Sequence, residues 1–468
     1  GGAHSRCPAQ TPLDNGGGLP VRSRYRILVG LVLAFALIAA ACGDDDSSGD
    51  TTTTAATEDT TTTTEAMETT TTTAAPETTT TEAAAADALV IWADESRSPA
   101  FIAIAPAFEE ATGVAIEVVQ KDFASIRDEA IQLIPTGEGP DIFIGAHDWT
   151  GPLSDAGVVA PMNDFPAETA ADFFDPSLTA FTLGGSLYAL PFQMEGIAMW
   201  MNTTLAATTD APATFEDLTT LCDSVLSGDQ ACIALPGGAD GADAYHMFPF
   251  QSAFGGSIFT FDPGTGYTAD TAGIDEPESI AGADFMAGLV EAGYIPSYNS
   301  GNAQEAFQQG NALFWMTGPW ARGDAETGAA ENGFEFQVIT VPTMEGNTPR
   351  PFFGSQGIYL SSQTTQELAA KTFIYDYAAA PETQQALYDA DPRLPANKTV
   401  AEVVSADPIV AAFTESIANG QPMPNIPQMT GDVWDSWGAA MLQIRNGESD
   451  PTTALTAAGE QINGLIGA

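Results

Sequence analysis

Apolar and polar positions fall along the chain in blocks whose lengths separate strands from helices. The segment ALVIWAD, Ala88 to Asp94, is a short apolar run rich in branched residues and reads as a buried strand. A helical stretch follows from about Ala100 to Ala111, closed by Thr112-Gly113, where the glycine supplies a C-terminal stop. VAIEVVQ, Val114 to Gln120, predicts a second strand, Phe123 to Leu133 a second helix, and DIFIGA, Asp141 to Ala146, a third strand. Strands and helices alternating at this spacing predict a parallel sheet with crossover helices, hence an α/β fold. Such sheets bind ligands at the carboxyl ends of their strands. Those ends carry Asp94 and Glu95 after the first strand, and His147, Asp148 and Trp149 after the third.

Before residue 88 the pattern is different. Arg22, Arg24 and Arg26 precede an uncharged apolar run from Ile27 to Ala41, which ends in Ala39-Ala40-Ala41-Cys42 and meets Gly43-Asp44-Asp45-Asp46. The run is shorter than the roughly 20 residues of a membrane-spanning helix, and its order of basic, apolar and small residues predicts a secretory signal peptide. The cysteine at the cleavage point resembles a bacterial lipoprotein signal. That resemblance implies lipid on Cys42, removal of residues 1–41 as upstream extension and signal peptide, and anchoring to the outer face of the bacterial cytoplasmic membrane. From Thr51 to about Ala86 the chain is nearly all Thr, Ala and Glu. Without large apolar side chains it cannot offset its ordering entropy, so residues 42–87 are expected to form a disordered tether.

Composition narrows the function. Among 468 residues there are 13 Lys plus Arg against 62 Asp plus Glu, a net charge of -49. That balance argues against a nucleic-acid partner, because phosphate binding needs a basic face. The acidity fits either salt adaptation or solubility on a surface nearly empty of lysine. The roughly 380 residues after the tether exceed one comfortable core, so two lobes are expected. No dinucleotide, P-loop, nucleophile-elbow or H-E-x-x-H motif occurs, so no cofactor is expected; with only His147 and His246 after residue 41 a metal site or a serine-type triad is poorly supported, and an all-carboxylate ion site is the alternative. Cys222 and Cys232, ten residues apart in an exported protein, are expected to form a disulfide.

Several stretches carry a resemblance. LVIWADE, FEEATGVAIEV, GEGPDIFIGAHD, GGSLYALPFQMEGIAMWMN, ALFWMTGPWA and MPNIPQM are similar to the maltose-binding protein family, the extracytoplasmic solute-binding proteins of carbohydrate ABC importers. The match runs in order from about Ala88 to the C-terminus. It implies a two-lobed periplasmic-binding-protein-like α/β fold with a hinge of crossing segments. The N-terminal lobe would be 88–195 plus 358–402, and the C-terminal lobe 196–357 plus 403–468. It further implies an oligosaccharide ligand such as maltose or maltodextrin, permease subunits of an ABC importer as partners, and a monomer without catalysis of its own.

Sugar recognition has its own demands. The apolar faces of a sugar ring need flat aromatic covers, and its rim of hydroxyls needs fixed donors and acceptors, of which buried carboxylates are strong ones. Trp92, Trp200 and Trp315 lie in apolar strand runs and read as core, whereas Trp149, Trp320 and Trp434 fall at strand or helix ends, where a cleft would lie. Carried over from the family pattern, Asp148 and Glu195 are hydroxyl acceptors, Asp243 and Tyr245 an acid and a stacking ring, and Trp320 and Trp434 rings against the sugar. The chain departs from that pattern at Gly145 and Trp149, in the shorter loop Asp94-Glu95-Ser96-Arg97, at His246 and at Gly438. Two cleft carboxylates are also what a glycoside hydrolase uses, which is the enzyme alternative; another sugar, a polyol or a different polar solute is the binding alternative.

Overall fold

The structure, a computed structural model, describes residues 88–237, 243–262 and 266–467. Cys42, the signal segment and the tether lie outside the described residues. Among those described, no helix is long and apolar enough to cross a membrane.

The first sheet grows from the predicted alternation. Strands Leu89–Ala93, Ile116–Gln120 and Ile142–Ala146 are parallel, with Leu89–Ala93 between the other two. Their crossover helices are Ser98–Thr112 and Phe123–Leu133. The first helix starts two residues earlier than expected because Pro99 suits a first helical turn, where its missing N–H costs nothing. It stops at Gly113, whose φ of 73° is left-handed and whose N–H bonds Glu109 O. The second strand begins at Ile116 instead of Val114. Asp122 caps the second helix by accepting from Ala124 N.

Beyond Ile142–Ala146 the sheet continues with Phe352–Leu360, Ala189–Gly196 and Leu394–Pro395, all antiparallel to their neighbours, and Gln421–Pro422 adds a short parallel strand beside Phe352–Leu360. A second sheet of four strands runs Phe336–Ile339, Ala198–Asn202, Ala312–Thr317, Ala231–Ala234. The chain passes from one sheet to the other at Ile197, between strands Ala189–Gly196 and Ala198–Asn202. A Cβ on Gly196 at this passage would lie 2.3 Å from Ile417 Cγ2, so only glycine lets the helix Pro408–Ala418 approach.

Each sheet has its own apolar core. One draws on residues between Leu89 and Phe192 and between Ile358 and Ala396. The other draws on Ile197 to Phe352 and on Met423 to Ile462, and a third cluster with Trp200, Trp315, Phe307 and Phe413 also draws on the strands of the second sheet. Trp92, Trp200 and Trp315 are buried, as strand runs of this kind require. Cys222 and Cys232 are joined by a disulfide that ties helix Phe215–Val225 to strand Ala231–Ala234.

Basic residues are few, and every one in the described residues is bonded. Four of the 13 precede residue 88, leaving nine. Arg97, Lys121, Arg127, Arg322, Lys371 and Arg393 pair with carboxylates. Arg350 bonds Gln421 Oε1, and Lys398 and Arg445 bond backbone carbonyls.

Candidate functional site

The candidate residues come from the ends of strands in both sheets and from the starts of two helices. Strand Ile142–Ala146 ends in a 3-10 turn, His147–Trp149, that carries Asp148. Glu195 stands one residue before the end of strand Ala189–Gly196. From the second sheet, strand Ala312–Thr317 runs into the turn Pro319–Ala321, which presents Trp320. Asp243 caps helix Ala244–Ala253 and Tyr245 lies in its first turn. Trp434 occupies the first turn of helix Gly431–Arg445.

Contacts join these pieces. Trp434 Nε1 donates to Asp148 Oδ2 at 3.2 Å. Tyr245 lies with its ring 6.1 Å from that of Trp320 and 6.2 Å from Phe352. Trp434 stacks on the buried Trp437 at 5.7 Å, so its indole is held from behind while its edge reaches Asp148. The Tyr245 hydroxyl is buried and has no hydrogen-bond partner among the described residues. Burial, and then the negative charge of Glu195, push its pKa well above the usual phenol range. A buried polar group left over in this way calls for a partner that the described residues do not supply.

Electrostatics separate the two principal carboxylates. Asp148 is 6% exposed, and burial pushes its pKa up to about 6 against the pull of Arg127 and the Trp434 N–H. Glu195 is equally buried but forms an ion pair with Arg393, and Gln356 Nε2 approaches it at 3.4 Å. Arg393 also bonds Asp391 Oδ2 at 2.8 Å, Asp391 pairs with Arg97, and Arg97 pairs with Asp94. Asp94, Arg97, Asp391, Arg393 and Glu195 thus form a continuous alternating ladder. Next to Asp148, buried His147 is depressed to about 4 by desolvation. Its Nδ1 accepts from Ser355 N–H at 3.1 Å, so its Nε2 carries the proton and donates to Met423 O at 3.1 Å.

The remaining predicted residues are placed differently. Asp94 faces Arg97 in the ladder, and exposed Glu95 lines an open recess of about 480 Å³ with Lys121 and Asp122. Trp149 does not join the aromatic group around Trp320. It is 8% exposed and rests on Phe123 at 4.9 Å, and a Cβ on Gly145 would meet its ring at 2.6 Å. Asp243 is committed to its own helix: its carboxylate accepts from His246 N at 3.0 Å and contacts His246 Nδ1 at 2.6 Å, while His246 Nε2 lies 3.0 Å from Thr317 Oγ1. Sequence reasoning missed Arg393, Arg127 and Gln193. The available signal was scarcity, since an arginine directly before the apolar stretch Leu394-Pro395-Ala396 of so acidic a chain needs a counter-charge if it is buried. Among the described residues no cluster of His, Cys, Asp and Glu could hold a metal.

Known proteins resemble this one along most of its length. Residues 103–412 match the family described as bacterial extracellular solute-binding protein. The maltotriose-binding protein of Pyrococcus abyssi is 28% identical over 338 residues, covering 70% of this chain and 71% of its own. A galactooligosaccharide-binding protein of Bacillus subtilis is 25% identical over 388 residues, covering 81% of this chain and 89% of its own. A maltooligosaccharide ABC transporter solute-binding lipoprotein of Streptococcus pneumoniae is 26% identical over 376 residues, with 78% and 86% covered. With a family match across well over half its length and two sheets that bring strand-end carboxylates to aromatic rings, the chain belongs to the bacterial extracellular solute-binding proteins.

Proposed function

We propose that the protein is the binding subunit of a carbohydrate ABC importer, anchored outside the cell by lipid on Cys42, and that it takes maltodextrin-like oligosaccharides without catalysis. The observation that carries this reading is the Tyr245 hydroxyl, buried and unpartnered beside Trp320 and under the charges of Glu195, Arg393 and Asp148. Aromatic faces next to fixed carboxylates are what a sugar's C–H faces and hydroxyl rim require. The names of the relatives support the same ligand class and the importer partnership. The lobes would be 88–195 plus 358–402 and 196–357 plus 403–468, working as a monomer. Asp148 and Glu195 belong to the first, Tyr245, Trp320 and Trp434 to the second, so a sugar touching all five links the lobes and favours a closed arrangement.

Calorimetric titration with maltose, maltotriose and longer maltodextrins tests the reading. Binding of at least one of them, with no shortened sugar released on long incubation, is the expected result. Release of product would place the protein among glycoside hydrolases instead, and failure to bind any of them would refute the ligand class. Mass spectrometry of the membrane fraction should find a lipid-modified peptide starting at Cys42; an unmodified peptide spanning Ala41 to Gly43 would count against the anchor.

A further inference from the structure

Arg393 sits at the centre of the site although it belongs to none of the predicted binding residues. Its Nη1 pairs with Glu195 and its Nη2 bonds Asp391 Oδ2 at 2.8 Å. With the Gln193 amide turned so that its oxygen faces both arginines, that oxygen accepts from Arg393 Nε at 3.2 Å and from Arg97 Nη2 at 2.6 Å. The guanidinium carbon lies 5.5 Å from the centre of the Trp320 ring. A guanidinium carries five N–H groups in a rigid fork, so these bonds leave two for something else. The unpartnered hydroxyl of Tyr245, on the ring beside Trp320, feels the same Arg393 charge. The Arg393 guanidinium and the Tyr245 hydroxyl thus lie beside the same Trp320 ring.

We propose that Arg393 is a specificity-determining residue of the sugar site, donating its two remaining N–H groups to an uncharged ligand oxygen held against Trp320. This rests on the sugar-binding reading above. Charge and geometry together define the ligand group. The ladder from Asp94 to Glu195 contains three carboxylates and two guanidiniums, so the Arg393 charge is already balanced and offers no surplus to a carboxylate or phosphate. The acceptor it reads is then a hydroxyl, glycosidic or ring oxygen. Asp148 and Glu195 read the opposite polarity, because an ionised carboxylate only accepts. A ligand must accordingly offer hydroxyl protons to two carboxylates and an oxygen to the guanidinium from one rigid ring. Sugars differing in the orientation of one hydroxyl fail that match at a buried donor, which is costly. The fork is held on three sides, so it cannot turn to suit an epimer.

Calorimetry on the full-length protein tests this with maltotriose, a galactose-containing oligosaccharide, trehalose, and glucose 1-phosphate as the anionic probe. Arg393→Met keeps the stem and removes the donors; Arg393→Lys keeps the charge and loses the fork. In the wild type, neutral sugars should differ widely in affinity and the phosphate should not bind. In both variants the best ligand should lose roughly tenfold to a hundredfold while the poorer ones change by less than about threefold, so the ranking collapses. If unpaired Glu195 prevents Arg393→Met from folding, the double variant Arg393→Met with Glu195→Gln is compared with Glu195→Gln alone, and the collapse of the ranking is expected in the double variant only. An equal loss for every sugar, an unchanged ranking, or tight binding of the phosphate by wild type would overturn the proposal. A wild type that binds none of the neutral sugars would instead overturn the sugar-binding reading, and the role of Arg393 with it.

Discussion

Asp148→Asn should strengthen the fold and weaken the function. The Asp148 carboxyl has its pKa pushed by burial from an ordinary 3.8 to about 6. At about 1.4 kcal/mol for each tenfold, keeping it ionised in the folded protein costs about 3 kcal/mol at neutral pH. Between those two values the folded state holds a proton that the unfolded chain has released. The stabilising contribution of that proton is therefore complete below about pH 4 and lost as pH rises through about 6. Asparagine carries no such penalty, although its neutral oxygen takes a weaker bond from Trp434 Nε1, returning about 1 kcal/mol. The variant should gain about 2 kcal/mol at pH 7.5, or about 2 °C in melting temperature for a body of this size, and about nothing at pH 4.5. Sugar affinity should fall about tenfold, since a charge-assisted acceptor becomes a neutral one. Thermal melts of both proteins at the two pH values, with calorimetry at pH 7.5, measure all three quantities. A variant less stable than wild type at pH 7.5, or shifted equally at both pH values, would refute the argument that desolvation dominates at this carboxylate.

Trp320→Ala should cost about tenfold to a hundredfold in maltodextrin affinity through the loss of a flat apolar face, and calorimetry on a folded variant with undiminished affinity would show that the ring does not stack on the ligand. Replacing Cys222 and Cys232 together by serine opens a short loop of sequence separation 10 and should lower stability by roughly 2 to 3 kcal/mol in urea titrations, so an unchanged midpoint would mean that packing alone holds helix Phe215–Val225 on its strand. Gly145→Ala pushes a methyl to within 2.6 Å of the Trp149 ring and 3.0 Å of Tyr359, which should cost about 1 to 3 kcal/mol; a neutral melt would show that Trp149 has room to move.

How much could be read beforehand depended on how local the determinants are. The alternation up to Ala146 was legible because strand and helix there differ in apolar period, and because Gly113 and Asp122 punctuate them within a few residues. Strand Phe352–Leu360 was not legible. Its FFGSQGIYL run is interrupted by Gly, Ser and Gln, and it is fixed by antiparallel partners at Ile142–Ala146 and Ala189–Gly196, far away in the chain. Trp149 shows a different limit. Counting it at a strand end suggested a cleft position, but the backbone turns into a 3-10 helix at His147, which sends the indole back onto Phe123 while Asp148 faces Trp434. Arg393 escaped notice because the carboxylate that explains it, Glu195, lies 198 residues earlier.

The engagement of all nine basic side chains has a consequence for the outside of the molecule. With its cations already bound to the fold, the protein meets its surroundings as a polyanion whose carboxylates repel one another through water. That repulsion is greatest when the chain is compact, and dissolved salt relieves it by shortening the screening length from about 10 Å at 0.1 M to about 3 Å at 1 M. Added salt should therefore tighten this fold, where a protein braced by surface ion pairs would loosen. Any molecule that docks on this surface has to bring the positive charge itself, and its approach should slow as ionic strength rises.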